Sequence, residues 1–263
     1  MFFAVSSLVL GLTIFAVVCG STALGVATGR SLRRHGDSLH APFGALQAAL
    51  LGFVGLLLAF GLSLAVGRYE SRRVDVVSEA NAIGTAYLRA QTLPEPIRRR
   101  SLALLVRYTD VEIDLGRARP DSAAAKLAIA RGTALQRQLW GLAGDALRKE
   151  PVDSAERLYV DSLNAMIDSQ GVRAAGLSNR VPTPVLVLEV AGAAVALGLL
   201  GLYLAVLGRG VATVMLAAAF VTLLLLITFD LDRPTRGLIT IPSTPLTQLR
   251  TSMSLPPAAH GGR

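Results

Sequence analysis

The chain alternates between long apolar runs and segments in which apolar and polar residues are interleaved. The apolar runs cover residues 2–27, 43–66, 184–207 and 211–229. Roughly 20 helical residues cross a bilayer core of about 30 Å, and each run is about that long or longer. The pattern therefore predicts four transmembrane helices, with an aqueous domain between the second and the third.

The second apolar run is not followed by a residue that would end the helix. Residues 67–93 contain no proline, and apolar residues recur there at the three- and four-residue spacing of one helical face. These residues are Tyr69, Val76, Ala80, Ile83 and Tyr87. The sequence thus predicts one helix that crosses the membrane and continues into water as an amphipathic stalk.

Three further helices are predicted in the aqueous domain. Two prolines in residues 93–96 break the stalk, because proline removes a helical hydrogen bond and restricts the residue before it. Helical periodicity returns over residues 97–115 and 127–146, and Asp153 with Glu156 forms a capping box before the third helix. No segment of this domain alternates with a period of two for long enough to be a strand.

Short links between the apolar runs determine the predicted topology. Only three residues separate the third run from the fourth, which forces an antiparallel hairpin. We therefore predict an all-α integral membrane protein in which two transmembrane hairpins bracket a helical extramembrane domain. The predicted domains are hairpin 1 at 1–66, the helical domain at 67–180, hairpin 2 at 181–230 and an extended or disordered tail at 231–263, with 237–241 as a short strand or extended segment.

Composition agrees with a membrane protein. Hydrophobic residues make up 52% of the chain, and the mean hydropathy is +0.52. The net charge of +8 comes almost wholly from arginines beside the apolar runs, which indicates membrane-flanking residues and not a nucleic-acid surface. The single cysteine, Cys19, excludes a disulfide framework within the chain. The first run lacks a preceding basic residue and exceeds a signal-peptide core in length, which favours a transmembrane helix.

Two rows of small residues are spaced to face neighbouring helices. Such rows let helix backbones approach closely in lipid, although glycine and alanine are also common in membrane helices in general. The first row is Ala48, Gly52, Gly55, Ala59, Ser63 and Gly67, and the second is Ala191, Ala194, Gly198, Gly201, Ala205 and Gly208.

Several motifs together resemble a bestrophin-like family of bacterial membrane proteins defined by a domain of unknown function. They lie at residues 33–37, 68–70, 79–89, 93–96 and 229–237, so the resemblance covers nearly the whole chain. The resemblance implies similarity to bestrophins, which are pentameric anion channels with four membrane helices and a cytosolic helical domain. It also implies a multi-pass protein of the bacterial inner membrane. The arginines of the first turn, Arg30, Arg33 and Arg34, argue instead for a cytoplasmic turn and a helical domain outside, whereas the opposite face has more flanking arginines in total, so both orientations stay open.

The resemblance places a pore along the second transmembrane helix. Bestrophin pores narrow at bulky apolar residues one helical turn apart, and Phe53, Leu57 and Phe60 approximate that pattern. Gln47 and Ser63 are the polar residues of the same run and complete the set of candidate pore residues. Four apolar helices from a single copy would enclose no water-filled pathway for ions, so conduction requires a homo-oligomer.

A second candidate set is charged. Glu189 is the ionisable residue within the apolar runs, and such residues usually face a partner or a water-filled path. The topology places further charges on the same side of the membrane, where they form either a salt-bridge girdle or an ion pathway. They are Arg68, Arg72, Arg73, Asp230, Asp232, Arg233 and Arg236. Asp230 and Asp232 alone are too few carboxylates for a divalent cation, and the sequence has no acidic cluster like a bestrophin calcium clasp.

Two hypotheses from different classes follow. The chain has no nucleophile motif, no dinucleotide-binding glycine pattern, and no metal-ligand spacing among His35, His40 and His260, so neither an enzyme nor a cofactor is predicted. The first hypothesis is a homo-oligomeric, bestrophin-like ion channel that conducts anions, with a pentamer as the resemblance implies. The second is a non-conducting, membrane-anchored helical scaffold or sensor.

Overall fold

The computed structural model describes residues 6–32, 40–119, 122–149, 154–208, 210–233 and 237–257. Within these ranges the chain forms eight α-helices and no strand, which confirms the all-helical prediction. The helices are α1 (Ser7–Leu32), α2 (His40–Ala90), α3 (Ile97–Arg117), α4 (Ala123–Lys149), α5 (Ser154–Ser178), α6 (Thr183–Val206), α7 (Val211–Leu231) and α8 (Thr244–Ser252).

Four of these helices are long and apolar enough to cross a membrane. They are α1, α2, α6 and α7, and they coincide with the four apolar runs of the sequence. Helix α2 is 51 residues long and continues without a break from the apolar run into the stalk. It ends at Ala90, just before the two prolines, as the restriction that proline places on helices requires.

The chain divides into two compact units, each with its own core. The membrane unit comprises Met1–Tyr69 and Arg180–Ile239, and the helical unit comprises Glu70–Asn179 and Thr240–Arg263. The C-terminal residues from Thr240 onward therefore belong to the helical unit, and helix α2 contributes residues to both units.

Backbone contacts between α1 and α6 dominate the membrane unit. A methyl group built at Gly25 would overlap the carbonyl oxygen of Gly198, and one built at Gly29 would overlap that of Leu202. The Ser21 hydroxyl donates a 2.7 Å hydrogen bond to the carbonyl of Ala194. The second small-residue row is thus a helix contact face, because Ala194, Gly198, Gly201 and Ala205 are all buried.

Helix α2 turns a different stripe towards α6 from the one formed by its small residues. The Gln47 amide donates a 3.0 Å hydrogen bond to the carbonyl of Ala196, and Val54 packs beside Gly192. The small-residue row of α2 lies on an adjacent face, and all six of its residues are exposed in the chain. A methyl group at Gly52 or Gly55 would meet nothing within 4 Å.

Large apolar side chains fill the core of the helical unit. Helix α4 packs against both α3 and α5, and the aqueous half of α2 adds Val76, Ala80 and Ile83 to the same core. The largest fully buried side chains of this core are Ile83, Leu93, Leu105, Tyr108, Leu139, Tyr159, Leu163, Met166 and Leu246.

The extended or disordered tail predicted from residue 231 onward is wrong for residues 244–252, which form helix α8. This helix packs against α3, and Leu246 is fully buried while Met253 is 5% exposed. Arg250 donates a 2.7 Å hydrogen bond to Asp110 at its edge. A nine-residue helix is too short to be stable alone, so it forms because its few apolar side chains reach the core of the helical unit. No strand forms at residues 237–241, all of which the structure describes.

We expect Gly25→Ala to destabilise the membrane unit, because its methyl group would push the α1 backbone away from α6. Overpacking of this kind typically costs about 1–3 kcal/mol. Thermal unfolding of the detergent-purified protein measures the loss. Gly20→Ala on the same helix is the matched control, since a methyl group there meets nothing within 4 Å. Equal stability of the two variants would contradict the close crossing.

Candidate functional site

Most of the candidate pore residues lie on a face of α2 that points away from the rest of the membrane unit. Phe53 is 62% exposed and Phe60 is 61% exposed. Ser63 is also exposed, and Leu57 is half-buried at the border of this face. One chain therefore presents two large aromatic rings, seven residues apart, on a surface that its own helices leave uncovered.

The structure does not bring Gln47 together with the other candidate pore residues. Its side chain is 4% exposed and is held by the carbonyl of Ala196 on α6. Successive helical residues are turned by about 100°, so six positions separate Gln47 from Phe53 by about two thirds of a full turn. Gln47 therefore belongs to the packing face of α2.

Two of the candidate charged residues act within the helical unit. Arg72 donates to the carbonyls of Gly176 (3.0 Å) and Asn179 (2.6 Å) at the end of α5. A guanidinium at this position satisfies carbonyls that have no intrahelical partner and complements the helix dipole. Arg73 forms an exposed ion pair with Glu70 at 3.5 Å.

The two aspartates at the C-terminal end of α7 hold backbone segments of the membrane unit. Asp230 accepts a 2.8 Å hydrogen bond from the backbone N–H of Ile239, and Asp232 accepts one of 2.9 Å from that of Val181. Among the described residues, no group of three or more His, Cys, Asp or Glu side chains could hold a metal ion. Arg233 is 3% exposed, Arg68 is half-buried, and Arg236 lies outside the described residues.

Glu189 lies at the contact between α6 and α2. The side chain is fully buried, and its carboxyl group packs directly on Gly61, where a methyl group would overlap it. Neither carboxyl oxygen has a hydrogen-bond partner in the part of the chain that the structure describes. The glycine at position 61 thus makes room for an acidic side chain inside the membrane unit.

A buried charged cluster in the helical unit was not predicted from the sequence. Arg173 on α5 forms an ion pair with Glu79 on α2 and lies 3.3 Å from a carboxyl oxygen of Glu112 on α3. The three side chains are 5%, 0% and 1% exposed, respectively. We call these three residues the acid-arginine cluster.

The helical periodicity of the sequence indicates that two members of this cluster lie on buried helix faces. Glu79 lies between Val76 and Ile83 at the spacing of the buried face of α2, and Glu112 follows Tyr108 by four residues on α3. A carboxylate on an otherwise apolar face requires a buried partner. The partner, Arg173, is 94 residues from Glu79 along the chain, so only the folded structure identifies it.

Burial governs the protonation of the cluster. The pKa of Glu112 is raised to about 8, chiefly by burial and also by the negative charge of Glu79. Arg173 acts in the opposite sense by favouring the ionised form, as does a hydrogen bond with the Tyr108 hydroxyl, which accepts a 3.0 Å bond from Gln136. Desolvation outweighs these favourable contacts because all the groups lie inside the helical unit.

The fold defines a class of integral membrane protein in which an all-helical unit is built between the second and third of four membrane-spanning helices. Within this class, the family model of the Bestrophin-like domain matches residues 11–246, and the chain belongs to that family.

Solved structures of a bacterial Bestrophin homolog from Klebsiella pneumoniae have the same fold. One matches with a TM-score of 0.68 and 15% identity, covering 92% of this chain and 96% of that chain. Two single-substitution variants match with TM-scores of 0.70 and 0.69 at 14% and 16% identity. They cover 92% and 95% of this chain, and 97% and 96% of theirs. A search of curated proteins finds no match.

We expect Arg173→Met to destabilise the helical unit strongly, because it leaves two buried carboxyl groups without their cation. Removing one partner of a buried ion pair typically costs about 3–5 kcal/mol. Chemical denaturation followed by circular dichroism measures the change. Arg148→Met removes the exposed pair with Asp145, whose arginine side chain is 74% exposed, and is expected to cost about 1 kcal/mol or less. Similar losses in both variants would contradict a buried cluster.

Proposed function

We propose that this protein is a homo-oligomeric bestrophin-like channel of the bacterial inner membrane that conducts anions through an axial pore lined by α2. Membership of the Bestrophin-like family supports a channel. The observation that supports the proposal most strongly is the exposed aromatic face of α2, on which Phe53 and Phe60 are not covered by their own chain.

Assembly of several copies explains why this face is uncovered. Helix α2 carries exposed residues every seven positions along its length, at Phe53, Phe60, Gly67, Val74, Asn81 and Leu88. A stripe with a seven-residue period follows a left-handed supercoil, as in helices that wind around a common axis. The exposed small-residue row beside it would let neighbouring helices approach closely. A pentamer follows the bestrophin plan.

In such an assembly, Phe53 and Phe60 would form two apolar rings one above the other. Apolar constrictions of this kind can gate ion flow by dewetting, because water leaves a narrow apolar passage more readily than a polar one. Ser63 would add a ring of hydroxyl groups next to the Phe60 ring, and Leu57 would pack at the border between copies. Gln47 is assigned to the contact with α6 and not to the pore.

The positive charge of the chain supports anions as the ions that the proposed pore conducts. The chain carries 26 lysines and arginines against 18 acidic residues, and Arg68 lies two residues after the apolar run of α2. Rings of positive side chains at the mouth of a pore favour anion entry. The carboxylates of Asp230 and Asp232 are engaged with backbone N–H groups, so their charge is partly offset.

One surface feature favours the alternative of a scaffold or sensor. A groove of about 330 Å³ lies between α3 and α4, and its lining combines Leu127 and Val111 with two arginines, Arg117 and Arg131, and one acid, Asp114. An apolar floor beside arginine side chains suits an acidic, amphipathic segment of a partner protein. Under this alternative the helical unit would bind a partner, and no ion path would exist.

We expect Phe60→Ala to increase the single-channel conductance in planar bilayers, because it widens and hydrates the apolar constriction. Phe220→Ala on α7 is the matched control, since Phe220 is 69% exposed but lies outside the proposed pore helix. It should conduct like the unmodified protein. Absence of conductance in the unmodified protein and in both variants, or a monomer by light scattering in detergent, would argue against a channel.

A further inference from the structure

We propose that the acid-arginine cluster is a proton-binding site, in which Glu79 and Glu112 share one proton that keeps the helical unit closed. This inference concerns the helical unit alone and does not depend on whether the protein conducts ions. It rests on the composition of the cluster, on its burial and on one carboxyl oxygen that has no hydrogen-bond donor among the described residues.

The first argument is charge balance. Two carboxylates and one guanidinium carry a net charge of −1, and each of the three side chains is at most 5% exposed. An isolated buried charge is so costly that the group takes up or releases a proton instead. Binding one proton makes the cluster neutral, and both acids contact the same nitrogen, Nη1 of Arg173, which places their carboxyl groups close together.

The second argument is hydrogen bonding. Oε1 of Glu79 is buried and has no hydrogen-bond partner among the described residues. An ionised carboxylate can only accept hydrogen bonds, so two ionised acids cannot satisfy one another. A proton shared by Glu79 and Glu112 would supply the missing donor.

Among the charged groups described on the surrounding helices, Arg72 on α2 lies two turns from Glu79 and donates to the carbonyls of Gly176 and Asn179. On α3 the neighbouring titratable group is Tyr108, whose pKa is raised well above its usual value by burial. Helix α4 contributes the neutral Gln136, and the neutral Ser243 and the guanidinium of Arg173 both lie beside Gly116. On α2 and α5, Asp75 packs on Gly176 one turn from the cluster and is itself acidic.

The direction of the pH effect follows from linkage. Burial raises the pKa of Glu112 to about 8, whereas the carboxyl group of an opened helical unit would ionise near its usual value of 4.5. The stabilisation is therefore fully present below about pH 4.5 and is lost progressively as the pH rises to about 8. Above that range the closed form has also lost its proton, and the dependence ends.

Hydrogen exchange of the full chain in lipid nanodiscs tests the proposal. Dividing each measured exchange rate by the intrinsic chemical exchange rate gives the equilibrium constant for local opening. For α3 and α5 this constant should rise by up to about tenfold per pH unit between about pH 5 and pH 8. Glu112→Gln leaves a neutral Glu79–Arg173 pair and should remove this dependence. Glu79→Gln leaves the Glu112–Arg173 pair and should do the same, which keeps the test decisive if one variant fails to fold.

Two further variants separate the proton site from a general effect of charge. Glu95→Gln removes an exposed acid that pairs with Arg98 beside α3, and it should keep the pH dependence of the unmodified protein. The double variant of Glu79→Gln and Glu112→Gln leaves Arg173 without a carboxylate and should open more readily at every pH. An opening equilibrium that stays constant across this range in the unmodified protein, or a Glu112→Gln protein that retains the dependence, would overturn the proposal.

Discussion

The rest of the structure depends on the unbroken backbone hydrogen bonding of helix α2. Within lipid every N–H and C=O group must be satisfied by the chain itself, so the apolar run of α2 has to be helical throughout. No proline interrupts the chain after that run, and the helix therefore continues to Ala90. As a result, one element supplies the exposed Phe53 and Phe60 of the membrane unit and also Glu79 of the acid-arginine cluster.

Different interactions stabilise the interior of each of the two units. In lipid, helices gain little from burying apolar surface, because the surrounding chains are equally apolar, and association relies on close packing. The contact of Gly25 and Gly29 with the backbone of α6 meets this requirement, since dispersion attraction is strongest where atoms touch. In the helical unit water supplies the driving force, and large side chains such as Tyr108, Leu139 and Met166 are fully buried.

The elements that could be predicted from the sequence are those whose signal is local. The membrane helices are defined by length and hydropathy, and the end of α2 by two prolines. Helix α8 was missed because its nine residues carry few apolar positions and gain their stability from contact with α3. The orientation of Gln47, and the choice of which small-residue row of the chain is buried, depend on the rotation of helices against one another. The partnership of Arg173 with Glu79 depends on helices that are far apart in the chain.

The composition of the acid-arginine cluster explains why it binds a proton, which burial alone does not. Apolar side chains of similar volume often stabilise a core as well as a buried ion pair, so stability alone does not explain why charges are retained there. A single acid opposite Arg173 would already balance the charge and would be insensitive to pH near neutrality. The second carboxyl group adds a desolvation cost that is relieved only when a proton is bound. A cluster of two acids and one arginine therefore titrates as a consequence of its stoichiometry, and burial moves that titration from the acidic range towards neutral pH.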